Sequence, residues 1–278
     1  MTSPQKIQST SRQAKRQVRP WVEGLARAGY GARGIVYIVI GVLAFQSAFS
    51  AGGQTTNSQG ALHTIAGQPF GRILLSLVAI GLVGYALWRL VEAAFDPENK
   101  GSDAKGIVQR IGSALSGLAY AGLALTAFKI VTGGSGGKGS SQQDWTARVL
   151  AQPLGQWLVA LVGLVVIGIG LHALYKAVTA KFRDKLKTGE MSAVEDTWIT
   201  RAGRAGYGAR GVVWIMIGWF LIQAGRHSNA RESRSLPQTL DTLASQPYGP
   251  WLLGAVAVGL VAYGLYALAE ARYRKIYF

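Results

Sequence analysis

The chain contains no cysteine. That excludes disulfides, thiol redox chemistry, thiolate zinc sites and cysteine nucleophiles together. Histidine is nearly as scarce, with only His63, His172 and His227. No Ser/His/Asp set, His/Glu metal set or phosphate loop can be assembled, so no catalytic residue, metal ligand or cofactor is assigned and an enzyme is not expected. Charge is also sparse. Charged residues make up 15% of the 278-residue chain against 49% hydrophobic, and they cluster between long apolar runs. Runs of that length read as membrane spans. No Asp or Glu lies in the apolar centre of any run, which weakens a proton-coupled transporter.

The net charge of +16 would first suggest nucleic acid. Here the basic residues flank apolar spans, so anionic membrane lipids are the expected partner and nucleic acid is not. The first apolar run begins after more than thirty residues and lacks a small-residue cleavage site, so it reads as a mature span and not as a signal peptide.

One stretch recurs. Arg27-Ala28-Gly29-Tyr30-Gly31-Ala32-Arg33-Gly34 leads into the apolar segment 35–45 and returns as Arg204-Ala205-Gly206-Tyr207-Gly208-Ala209-Arg210-Gly211 ahead of 212–222. A diverged copy, Arg110-Ile111-Gly112-Ser113-Ala114-Leu115-Ser116-Gly117, leads into 118–128. A second signal, Gln68-Pro69-Phe70-Gly71, recurs as Gln152-Pro153-Leu154-Gly155 and Gln246-Pro247-Tyr248-Gly249. Proline suits a helix start, where its missing N–H would be unpaired anyway. The unit is therefore a hairpin of two spans, used three times: 21–98, 104–183 and 198–274. A basic tail, 1–20, precedes them and is expected to be disordered. Six spans follow, near 30–49, 68–95, 111–131, 154–178, 208–224 and 250–271. A short helix at 61–66 should rest on the interface, and the Gly/Ser-rich loop 133–141 should be flexible. The fold class is all-α integral membrane: six transmembrane helices in three tandem hairpins, an arrangement that permits a pseudo-threefold bundle.

Of the 29 Lys and Arg residues, 22 lie before residue 34, between spans two and three, between spans four and five, or after span six, and seven lie in the other loops. The positive-inside rule then places both termini in the cytoplasm.

Aligning the copies identifies candidate sites. Gly34, Gly117 and Gly211 correspond, and seven residues on come Gly41, Ala124 and Gly218. Small residues at that spacing read as helix-packing seams. Gln46, Lys129 and Gln223 match about 20 Å further along the helix than the Arg33 position. Around a threefold axis they would converge into a polar ring, while the bland reading takes each to the nearby interface. Glu92, Lys176 and Glu270 form a third matched set, expected at the interface, with Arg89–Glu92 and Glu270–Arg274 at helical ion-pair spacing. Arg27, Arg33, Arg110, Arg204 and Arg210 are candidate lipid head-group contacts, with Arg33 reaching toward the surface. Trp21 matches Trp198 as an interfacial aromatic, and His172 matches Trp88 and Tyr266 as a belt residue.

These two recurring motifs, together and in order over residues 25 to 273, resemble the bacterial membrane family catalogued as domain of unknown function 1206. The middle copy departs from the pattern at Ser113 and Ser116. The resemblance implies a bacterial cytoplasmic-membrane protein and supplies no activity. Two functions are carried forward: a non-enzymatic structural or interaction protein with basic lipid contacts at the cytoplasmic face, and a small channel or transporter with a polar site on the axis. Because the chain lacks cysteine, orientation is directly testable. Ser135→Cys should react with a membrane-impermeant maleimide in intact cells and Lys185→Cys should not; the reverse pattern would invert the topology.

Overall fold

The computed structural model describes residues 4–49, 55–95, 103–134 and 142–275, and their side chains except those of 4–22, 104 and 105. Nine α-helices lie among the described residues: α1 (Pro4–Phe49), α2 (Ser58–Ala66), α3 (Gly71–Phe95), α4 (Ala104–Val131), α5 (Gln142–Leu150), α6 (Gly155–Thr179), α7 (Ala193–Arg226), α8 (Leu236–Ala244) and α9 (Gly249–Tyr273). Six contain stretches long and apolar enough to cross a membrane: Glu23–Phe49, Gly71–Phe95, Gly106–Val131, Gly155–Thr179, Ala193–Arg226 and Gly249–Tyr273. The protein is thus an all-helical polytopic membrane protein. The six long helices alternate with α2, α5 and α8, which lie at one end, here the short-helix end. The opposite, basic end carries the Arg27, Arg110 and Arg204 positions.

One boundary differs from the sequence reading. α1 is continuous from Pro4, so the described part of the stretch expected as a disordered tail is one helix with the first span. The loop expected to be flexible, 133–141, lies outside the described residues from 135 onward.

Local chemistry fixes the helix starts. Asn57 and Asp103 accept the backbone N–H of Gly60 and Gly106, and Ser192 with Glu195 forms a capping box on α7. Each satisfies donors that a helix N-terminus leaves free. The Gln-Pro-x-Gly signal works differently from expectation. The proline sits in a turn, and the helix begins two residues later, at the glycine. The residue between them is left-handed in all three copies: Phe70, Leu154 and Tyr248 have φ of 59°, 61° and 62°. A Cβ on the following Gly71, Gly155 or Gly249 would lie 2.4, 2.0 or 1.8 Å from the carbonyl oxygen of Ala66, Val149 or Ala244. Glycine is required there because the chain turns back onto the preceding short helix.

The six long helices are ordered as a ring of repeats. The second helix of each hairpin packs on the first helix of the next: α3 on α4, α6 on α7, and α9 back on α1. That cyclic pattern is the pseudo-threefold arrangement. Glycines make these seams close. A Cβ on Gly34 would lie 2.8 Å from the carbonyl of Gly264, and one on Gly264 would lie 2.6 Å from that of Gly34. Gly211 and Gly170 approach the same way, at 2.9 and 2.8 Å, as do Gly218 and Gly163, at 2.6 and 2.7 Å. In a lipid solvent such approach replaces the hydrophobic drive that aqueous helices use.

Within hairpins the copies diverge. Gly29 abuts Tyr85 in the first, and Gly206 abuts Tyr263 in the third. The matching Gly112 of the middle copy meets nothing within 4 Å, and Ile169, which stands where the tyrosines do, is 50% exposed. Among the described residues α4 and α6 make no extended contact. The ring is therefore open at its middle hairpin. One face of α2, formed by Ala61, Leu62 and Ile65, is buried in the core cluster and packed on α1, α3 and α4.

The seams predict a steep position dependence. Gly218→Leu should lower stability by about 1–3 kcal/mol, the usual range for overpacking, while Gly168→Leu, which meets nothing within 4 Å, should leave it nearly unchanged. Thermal unfolding in detergent measures both, and equal effects would contradict the close α6–α7 approach.

Candidate functional site

The five arginines singled out in the sequence have four different fates. Arg27 and Arg110 occupy matched positions and do matched work. Arg110 donates from Nε to the Ala93 carbonyl at 2.8 Å and from Nη2 to that of Ala94 at 3.0 Å. Arg27 donates from Nη1 to the carbonyl of Ala271 at 3.0 Å and also to that of Arg272, while Nη2 pairs with Glu23 at 2.6 Å. Each thus closes the carbonyl end of the neighbouring hairpin's second helix, where unpaired acceptors and the negative end of the dipole favour a cation. Arg204, the third of the set, is exposed.

Arg33 corrects the expectation most sharply. It does not reach toward lipid; it is 6% exposed, in a cage made by α1, α3 and α9. Its Nη1 donates to the Tyr85 hydroxyl at 2.6 Å, and its Nη2 donates to the Tyr263 hydroxyl at 2.6 Å and to Glu270 Oε2 at 2.9 Å. Glu270 also accepts from Arg274 Nη1 at 2.5 Å through its other oxygen. The guanidinium lies 5.4, 5.3 and 5.1 Å from the ring centroids of Tyr30, Tyr85 and Tyr263. A second carboxylate joins through Tyr85, whose hydroxyl accepts from Arg89 Nε at 3.1 Å while Arg89 pairs with Glu92 at 2.6 Å. Ser113 of α4 donates to the same Glu92 at 3.2 Å. Glu92 and Glu270, expected at the interface, are 0% and 2% exposed. A charge without water must be paired and hydrogen-bonded, so the network welds four helices, α1, α3, α4 and α9, where a lone arginine would expel them.

Arg210 is the matched partner of Arg33, on α7, and its surroundings are unlike. Its guanidinium stacks over Tyr263 at 4.3 Å and Tyr37 at 5.3 Å. Arg210 is half-buried, and its Nε, like that of Arg33, is buried without a hydrogen-bond partner. The position that holds Glu270 beside Arg33 holds Lys176 on α6, whose Nζ lies 5.8 Å over the Tyr207 ring. Arg210 lines a cavity of about 280 Å³ with Tyr37, Val213, Trp214, Ile217, Leu236 and Leu260; Asn57, Ser58 and Gln59 edge it at the short-helix end.

The proposed polar ring is not formed. Gln46 and Lys129 are exposed and Gln223 is half-buried. The inward positions two residues earlier are Ala44, Ala127 and Leu221, which sit in the core cluster with the matched Ile40, Leu123 and Ile217. Two residues turn a helix by about 200°, so the glutamines and the lysine face away from that core. The belt assignment fails in part as well: Trp88 and Tyr266 are each 1% exposed, while His172 is exposed and stacks on Tyr175. Trp198 is 64% exposed, as an interfacial aromatic is, whereas the Trp21 side chain lies outside the described set. The tyrosines around Arg33 went unread in the sequence. Their signal was present: Tyr85 and Tyr263 are matched hydroxyl-bearing residues inside otherwise aliphatic spans.

Six apolar helices in three repeated hairpins, packed through glycine seams and joined at the first and last helices by a buried Arg–Glu–Tyr network, define a polytopic membrane protein of repeat architecture. A family model described as Domain of Unknown Function (DUF1206) matches residues 28–96, 111–180 and 205–274, one hit per hairpin. The chain belongs to that family. It is similar to a Bacillus subtilis (strain 168) protein titled "Uncharacterized protein YxxB", with 38% identity over 262 residues covering 94% of each chain. No solved structure matches.

Removing one partner of the network should be far worse than removing a surface charge. Glu270→Gln leaves Arg33 and Arg274 facing a neutral group and should destabilise by about 3–5 kcal/mol. Tyr263→Phe removes one charge-assisted bond and should cost about 1.5–3 kcal/mol. Denaturant unfolding in mixed micelles measures both; a Glu270→Gln protein as stable as wild type would contradict the network.

Proposed function

We propose that this is a non-enzymatic interaction protein of the bacterial cytoplasmic membrane, with its basic end toward the cytoplasm and docked on anionic lipid head groups. The observation that carries the reading is a basic and aromatic rim at the ends of α6 and α7. Arg201 lies 5.6 Å over the exposed Trp198 ring, and Lys181 lies 4.9 Å over the ring of Tyr175, whose hydroxyl it also meets at 2.5 Å. Arg204 is exposed beside them. Arginine and lysine standing on aromatic rings are the pairing that suits a membrane–water boundary. The tyrosine hydroxyl holds the Lys181 ammonium charged, raising its pKa above the ordinary lysine value. The linker behind the rim is tied in place. Lys187 N–H donates to the Tyr273 carbonyl at 2.8 Å, and Lys275 N–H donates to that of Lys185 at 2.9 Å. Arg183 pairs with Asp196 at 2.5 Å.

The lipid-gripping residues of this reading are therefore Lys181, Arg201 and Arg204; Arg27, Arg33 and Arg110 are engaged within the protein. The channel or transporter reading no longer has its ring of Gln46, Lys129 and Gln223, and one observation still favours it: the cavity at Arg210. Replacing Lys181, Arg201 and Arg204 together by Gln should at least halve the phosphatidylglycerol and cardiolipin that remain bound through detergent purification, as counted by native mass spectrometry. Unchanged retention in a folded triple variant would remove the reading.

A further inference from the structure

We propose that the cavity ending at Arg210 binds a small carboxylate with an apolar body. The site lies apart from the lipid-gripping rim and does not depend on it.

The repeat supplies an internal control. Arg33 and Arg210 are the same residue of the same motif, on the first helices of the first and third hairpins. Each stands on a helix that packs on the second helix of the preceding hairpin in the ring, α1 on α9 and α7 on α6, but the Arg210 guanidinium itself lies against Tyr37 of α1 and Tyr263 of α9. At the first interface the matched position is Glu270, which pairs with Arg33 at 2.9 Å. At the other it is Lys176. At the matched position a carboxylate has been replaced by a cation, while the arginine of the motif was kept. Among the described residues Arg210 has no ion pair and no hydrogen bond, and its Nε is buried. Two tyrosine rings hold the guanidinium without neutralising it. An arginine enclosed among membrane helices without a counter-charge is strongly disfavoured, and sites of that kind mark ligand or ion pathways. The group Arg210 lacks is the one Glu270 supplies to Arg33, a carboxylate.

The cavity shapes the rest of the ligand. Apart from Arg210 and Tyr37, its walls are Val213, Trp214, Ile217, Leu236 and Leu260. Such walls disfavour phosphate or sulfate, which would lose hydration without gaining donors. They favour a ligand with one charged end and an apolar remainder. A volume of about 280 Å³ has room for roughly ten non-hydrogen atoms. Asn57, Ser58 and Gln59 lie at the short-helix end, so the charged end points inward to Arg210 and the apolar body fills the space toward them. A planar guanidinium matches a carboxylate through two parallel hydrogen bonds, which the outward nitrogens of Arg210 are free to make. Two sources have this chemistry: a soluble aryl acid, and a medium-chain fatty acid drawn from the membrane.

The test titrates full-length protein in lipid nanodiscs with 4-phenylbutyrate and, separately, decanoate, using isothermal calorimetry. Each neutral amide serves as the control. Saturable binding of at least one acid, at least tenfold tighter than its amide, is expected. Arg210→Gln should weaken it at least tenfold. Because that variant also changes packing against Tyr263, a second variant, Val213→Trp, fills the cavity and leaves Arg210 in place; it should weaken binding by a similar factor. Preference for 4-phenylbutyrate assigns a soluble source, and preference for decanoate assigns the membrane. Absence of saturable binding by both acids, equal binding of acid and amide, or binding unaffected by both variants overturns the proposal. Loss of lipid retention in the Lys181/Arg201/Arg204 variant alters none of these readouts, so the two proposals fail separately.

Discussion

A guanidinium cannot be left bare among apolar helices. Arg33 meets that constraint by recruiting groups from two other helices, and much of the basic end follows from it. Tyr85 and Tyr263 reach it from α3 and α9 and Glu270 from the end of α9, so the first membrane helix is bound to the last. Pair formation at this depth is worth more than a surface salt bridge because the alternative is an uncompensated charge. The glycine seams are the complementary device. They bring backbones near enough for short side chains to interlock, and at Gly34 and Gly264 they lie directly beside the charge network. Electrostatics fixes which helices meet at that end, and close packing fixes how near they come.

The three copies share a scaffold and differ in electrostatics. One interface holds an arginine with a glutamate, the next a serine with a glutamate already paired to Arg89, and the third an arginine with a lysine. Repetition built the ring, and substitution within it has moved charge from one interface to another. The middle hairpin has gone furthest. Its two helices have lost the tyrosine-on-glycine packing of the other copies and lean on their neighbours instead. The faces left over are lined by residues such as Leu115, Leu118, Leu161 and Val165, all more than half exposed, which an acyl-chain solvent accepts.

Much of this was legible in the sequence. Span length, the hairpin unit, the small-residue seams and the two helical ion pairs depend on spacing along one helix, and spacing along one helix is what a sequence displays. What could not be read was rotation and neighbourhood. Gln46, Lys129 and Gln223 matched in register, yet register along an axis says nothing of angle about it, and two residues separate them from the inward face. Arg33 was read as interfacial because its partner stands on another copy. Motif matching treated Arg33 and Arg210 as equals, and only the residue opposite each one tells them apart. The turn chemistry was half legible: the recurring Gln-Pro-x-Gly marked the helix starts, while the need for glycine came from the returning carbonyl of the short helix.

The distance between Arg33 and Glu270 along the chain is 237 residues. A ribosome making this protein therefore delivers the cation long before its carboxylate. Five spans are made before the sixth supplies the neutralising group, and throughout that interval the chain offers Arg33 the Tyr85 hydroxyl of the second span but not the carboxylate of Glu270. Completion of the last helix is then the event that lets the first one settle. A chain interrupted before residue 270 lacks the carboxylate that neutralises Arg33, and a charge among apolar helices without its partner is costly.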